Sequence, residues 1–146
     1  MMKLVLILLI SFALPAYATS GEVNAKCSVM SILAIDVETG DVEKIPSLNT
    51  EWQFSYAPSE DNVLWFSANT GEHGSETNRM ALKILEKDTQ HLVAANLFSR
   101  GYIIYTLSLV SSSVHAYLYE QKTEENPKGT GRQYFASCRI SQAQGT

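Results

Sequence analysis

Cys27 and Cys138 are the only two cysteines of the chain, and about three quarters of it lies between them. A thiol can serve as a nucleophile, a metal ligand or half of a disulfide, and its surroundings decide which. Neither cysteine has a second cysteine or a histidine at metal-site spacing. The histidines, His73, His91 and His115, are scattered. His73 sits in Gly71-Glu72-His73-Gly74-Ser75-Glu76, a pattern that reads as a solvated turn before it reads as a metal loop. No metal and no cofactor are expected. Gly-x-Ser-x-Gly is absent, and Ser111-Ser112-Ser113 has no flanking glycine, so no nucleophile elbow is present. No phosphate-cradling glycine motif occurs, and no two of the 15 acidic residues stand out as a hydrolytic pair. The expectation is a protein that binds and does not catalyse.

Aromatic residues are the remaining candidates for a site. Trp52, Phe54, Tyr56 and Trp65 fall close together, and Tyr105, Tyr117 and Tyr119 follow in the C-terminal half. If strands carry them, alternation sets Trp52, Phe54 and Tyr56 on one face. The same alternation leaves room for Tyr105, Tyr117 and Tyr119 to share a face of paired strands. These seven residues are the candidate ligand-binding set, lining a cup for a small apolar or aromatic molecule. The competing reading is core packing, in which aromatic rings dominate anyway. Arg79, Arg100, Arg132 and Arg139 are dispersed. Arg132 and Arg139 differ in parity, so one strand would turn them to opposite faces.

The address of the protein comes from residues 1–18, MMKLVLILLISFALPAYA. One lysine, an apolar run over 4–14, a proline, and Ala16-Tyr17-Ala18 form the pattern of a secretory signal peptide cut after Ala18. The apolar run is far shorter than the roughly 20 residues that span a bilayer. Cys27 is in the wrong context for a lipoprotein. A periplasmic or secreted protein is expected, with no membrane span in the mature chain and residues 19–25 flexible. In an oxidising compartment two lone cysteines are expected to bond to each other. The chain carries 11 basic against 15 acidic residues, a net charge of −4. Without a concentrated basic run, nucleic acid is not an expected partner.

The elements that must position these residues read as strands. Residues 26–35, 41–45, 51–56, 63–68, 80–86, 91–99, 102–110, 114–122 and 132–140 are β-branched, aromatic or alternating, and turn signals separate them. The loop over 69–78 is long and polar, and so is that over 123–131. Residues 80–86 also carry fair helical propensity, but a helix there would be short and uncapped. The expectation is one all-β domain over 26–140 with a tail over 141–146. It is an antiparallel meander of about eight or nine strands that closes, or nearly closes, into a barrel. A β-sandwich is the alternative. The cysteines favour closure, because a barrel makes its first and last strands neighbours and a bond needs Cα atoms within about 7 Å.

The general plan resembles that of lipocalin-like barrels: export signal, meander, disulfide and aromatic-rich strands. The likeness is one of architecture. That family's Gly-x-Trp element near the first strand has no counterpart, since Trp52 follows Asn49-Thr50-Glu51 in the expected third strand. No binding residue is carried over. The functional expectation is an exported β-barrel binding protein for a small apolar or aromatic ligand. The alternatives are a protein-interaction module, such as an envelope accessory subunit or secreted inhibitor, and a hydrolase with dispersed acids.

Overall fold

The computed structural model describes residues 21–47, 49–60, 62–69 and 79–142. The expected signal peptide, the His73 loop and residues 143–146 lie outside the described residues. Nine strands follow one another: β1 (Val23–Ile35), β2 (Val42–Ile45), β3 (Glu51–Tyr56), β4 (Val63–Asn69), β5 (Met80–Lys87), β6 (His91–Phe98), β7 (Gly101–Ser108), β8 (Ser113–Glu120) and β9 (Thr130–Gln142). From β3 to β9 each strand pairs antiparallel with the next. β1 pairs with β3 on one side and β9 on the other, which closes eight strands into a barrel. Closure removes the exposed edges that a meander would otherwise leave. The sandwich is not formed.

β2 departs from the meander. The thirteen-residue β1 is long enough to pair with β3 through Val23–Ser28 and with β2 through Ile32–Ile35. Pro46 has no N–H to give a ladder, and Asn49 turns with φ of 48°. The chain therefore breaks there into two strands along one edge of β1. β2 has no second neighbour in the sheet among the described residues.

The expected boundaries shift at both ends. β1 begins at Val23, so residues 23–25 lie in a strand. Val23 and Ala25 are buried and paired to both β3 and β9. β9 runs on to Gln142, which faces Val23. Residues 23–25 fill the space between β3 and the end of β9, and past Ser137 β9 has only β1 as its ladder partner. Residues 80–87 form a strand and not a helix, joined to β6 by a tight hairpin. Asp88 accepts from the N–H groups of Gln90 and His91 at 2.6 Å each. The two bonds, Gln90 first, hold its carboxyl below the ordinary value.

Two bulges keep the alternation in phase with the core. Met30 is the extra residue between Val29 and Ser31, and Leu85 the extra one between Ile84 and Glu86. Both are pushed outward, at 59% and 56% exposure. Without the first bulge, Ile32 would point to solvent and lose its place opposite Tyr134. At the β6–β7 turn, Gly101 is required by space. A Cβ there would stand 1.9 Å from the Tyr119 carbonyl oxygen.

Candidate functional site

Side chains fill the middle of the barrel interior. Trp52 is 5% exposed. Its ring centroid lies 5.4 Å from Tyr134, 5.6 Å from Tyr105, 5.8 Å from Phe66 and 6.3 Å from Phe54. Phe66 and Tyr105 meet at 4.9 Å, and Phe54 joins both. These rings fit because small residues face them. Tyr105 has Ala94 and Ala116 as its two cross-strand partners, and Phe54 has Ala25. Large beside small lets the layers interlock at native density. Burial, with a lesser push from Tyr134, holds the Tyr105 phenol far above its ordinary value, so it stays neutral. Leu64, Leu82, Leu92, Leu107 and Val114 complete the plug. At one end, Lys87 Nζ donates to Tyr56 Oη at 2.6 Å and lies 4.2 Å from the ring centroid.

The disulfide belongs to this interior. Cys27 and Cys138 are direct register partners on β1 and β9 and are bonded. The Cys138 N–H donates to the Ser112 carbonyl, and the Val29 N–H to that of Thr50. The two cysteines thus turn their amides away from each other. They occupy a non-hydrogen-bonded pair, where Cα atoms approach most closely. A cross-strand bond fits there.

The candidate aromatics divide between the two faces of the wall. Trp52, Phe54, Tyr56 and Tyr105 point inward and are buried. Trp65, Tyr117 and Tyr119 point outward. The shared face for Tyr105, Tyr117 and Tyr119 is not formed, because Tyr105 stands opposite Ala116, placing it one step out of phase with both. Tyr102 takes that place. It lies opposite Tyr119, with ring centroids 5.6 Å apart, and 6.3 Å from Tyr117.

Two outer grooves follow from this arrangement. The first crosses β7, β8, β9 and β1 and encloses about 460 Å³. Its lining includes Leu33, Ile104, His115, Tyr117, Gln133 and Phe135. His115 stacks edge-on against Phe135 at 4.9 Å, and Phe135 is 38% exposed. The second groove crosses β9, β1, β3 and β4 and encloses about 600 Å³.

The floor of the second groove is a grid set by register. One row runs Arg139, Lys26, Gln53, Ser67, and the next runs Ser141, Asn24, Ser55, Trp65. Arg79 closes it, 4.3 Å from the Trp65 centroid and 3.3 Å from Ser55 Oγ. Neither row contains a carboxylate. Glu22 and Glu60 stand at the margins, holding Asn24 Nδ2 and Trp65 Nε1, and Glu51, diagonal to Lys26 across the β1–β3 ladder, lines an adjoining groove with Lys26 and Arg139.

Lys26 and Arg139 face each other directly, and neither has an ion-pair partner among the described residues. Like charges opposite one another destabilise a sheet. Arg139→Glu should therefore raise stability by about 0.5–1 kcal/mol, read as a higher urea midpoint. A lower midpoint would show that the pair does not repel.

Sequence reasoning named Arg79 and Arg139 only as dispersed residues and passed over Lys26. The signal was nevertheless present. Once Cys27 opposes Cys138 in an antiparallel pair, Lys26 must oppose Arg139. Arg132, the other parity, takes the inward register but stands exposed near the barrel end beside Ala34 and Leu118. Among the described residues, no group of His, Cys, Asp and Glu is arranged to hold a metal, and no helix is long and apolar enough to cross a membrane. Compared with protein-family models, curated proteins and solved structures, the chain shows no match.

Proposed function

We propose that this protein is an exported β-barrel binding protein whose apolar or aromatic ligand sits on the outside of the barrel wall. One observation carries the reading. The interior is occupied by its own rings, whereas Tyr117, Phe135, His115, Ile104 and Leu33 line an open groove. That lining offers aromatic and aliphatic surface with a few polar groups to orient a guest, among them Gln133 and Thr106. The disulfide is consistent with an oxidising, exported compartment.

The test is titration with the neutral probe N-phenyl-1-naphthylamine, followed by its fluorescence. Tyr117→Ala should weaken binding about tenfold, the loss of roughly one ring's buried area. Phe54→Leu, which alters the interior, should leave it unchanged. Absence of binding, or indifference to Tyr117→Ala, would sink the small-ligand reading.

A second reading, a protein-interaction module of the accessory or inhibitor kind, draws on β2. Its outer edge is unpaired among the described residues, and Val42 is 61% exposed. An open edge is a template for a partner's strand. Failure of the naphthylamine titration would leave this reading in place.

A further inference from the structure

We infer that the polar grid on β9, β1, β3 and β4 is a second binding site, built for an acidic saccharide. It is separate from the aromatic groove and does not depend on it.

The chain as a whole is acidic, yet Lys26, Arg79 and Arg139 converge on one 600 Å³ groove. Lys26 and Arg139 are placed opposite each other by the register around the disulfide, a like-charge pairing that carries a repulsive cost. An anion bridging the two heads removes that cost. Residues that work against folding at a concave surface are expected where a ligand supplies the missing partner.

The rest of the grid narrows the chemistry. Gln53, Asn24, Ser55, Ser67 and Ser141 present amides and hydroxyls that both donate and accept. They match the hydroxyl groups of a sugar ring. Arg79 forms a second cationic pole. Its guanidinium reaches Ser55 on β3, two strands from Arg139 on β9, so the poles stand about 10 Å apart at normal strand spacing. The ligand therefore carries negative groups at both ends and hydroxyls between them, as a short uronate or sulfated chain does.

An acidic peptide fits less well. Extended peptides bind sheets at an edge, and here the strands beneath the grid are flanked on both sides. Nucleic acid needs a broader basic face than these three cations provide.

The experiment is calorimetric titration of the whole protein with trigalacturonic acid, with maltotriose as neutral control and tetraglutamate as the peptide arm. Trigalacturonic acid should bind, binding should weaken as salt rises, and Arg139→Glu should weaken it at least about tenfold, the loss of one charge-assisted contact. The same variant should unfold at higher urea than the wild type, so loss of binding will not reflect misfolding. Tyr117→Ala should bind trigalacturonic acid normally. Equal binding of maltotriose would overturn the acidic character of the ligand. Tighter binding of tetraglutamate would overturn the saccharide assignment. No binding of trigalacturonic acid would overturn the site itself.

Discussion

Trp52→Ala should cost about 4 kcal/mol of folding stability, near the top of the range for truncating a buried aromatic. The side chain is buried at the centre of the barrel and touches four rings on three other strands as well as its own. Removing the indole takes away its transfer energy and leaves a cavity that rigid strands cannot collapse. It also strips the edge-to-face partner from Tyr105, Phe66 and Phe54, whose interplanar angles to Trp52 are 81°, 74° and 87°. Trp65→Ala is the natural control. That ring lies on the outer wall under Arg79, and its loss should cost about 1 kcal/mol or less. Urea unfolding followed by far-UV circular dichroism measures both. A Trp52 loss no larger than the Trp65 loss would mean that the aromatic plug does not hold the barrel together.

The double variant Cys27→Ala, Cys138→Ala should lose a similar amount, about 4–5 kcal/mol. The bond spans 111 residues, and the chain-entropy model gives about 4.7 kcal/mol for a loop near 100. The effect acts mostly on the unfolded chain, whose ends the bond keeps together. The folded ladder between β1 and β9 extends well to either side of the cysteines and should survive. The variant should therefore show an unchanged far-UV spectrum in water and a much lower urea midpoint. Reduction of the wild type under denaturing conditions should reproduce that midpoint. A shift below about 1 kcal/mol would show that the unfolded state is already held compact by other means.

These two variants bear on the closed barrel, and the three tests set in the Results bear on its outer wall. The distinction matters for function. A lipocalin-like cup would place a ligand where Trp52, Phe54 and Tyr105 now pack against one another. With that volume occupied by the protein's own rings, the outer surface carries the open grooves.

Strand content was legible residue by residue. The alternation Trp52-Gln53-Phe54-Ser55-Tyr56 predicts a half-buried strand, and the three aromatics are all buried while Gln53 is exposed. The pairing of Cys27 with Cys138 was legible too, because two thiols in an oxidising compartment have one possible partner each. From that pairing the neighbourhood of the first and last strands followed, and with it closure. The position of β2 was not legible. Its four residues read like any other short strand, and only the length of β1 leaves an edge for them to occupy.

The division between inside and outside was legible within a strand but not between strands. Period two sets relative phase along one strand. It does not say which phase faces the core, nor how one strand's phase meets the next. Tyr105 and Tyr117 have the same parity in sequence, yet they face opposite ways because the β7–β8 register places Tyr105 against Ala116. The bulges at Met30 and Leu85 add a further step that no periodicity announces. Sequence alone thus determined the class of fold, the cross-link and its consequence for closure, since these depend on local pattern and on a covalent bond. Tertiary structure decided which aromatics fill the barrel and which line its wall, and it brought Lys26, Arg79 and Arg139 to one groove. Those outcomes depend on register across strands far apart in sequence, which is fixed only when the whole sheet closes.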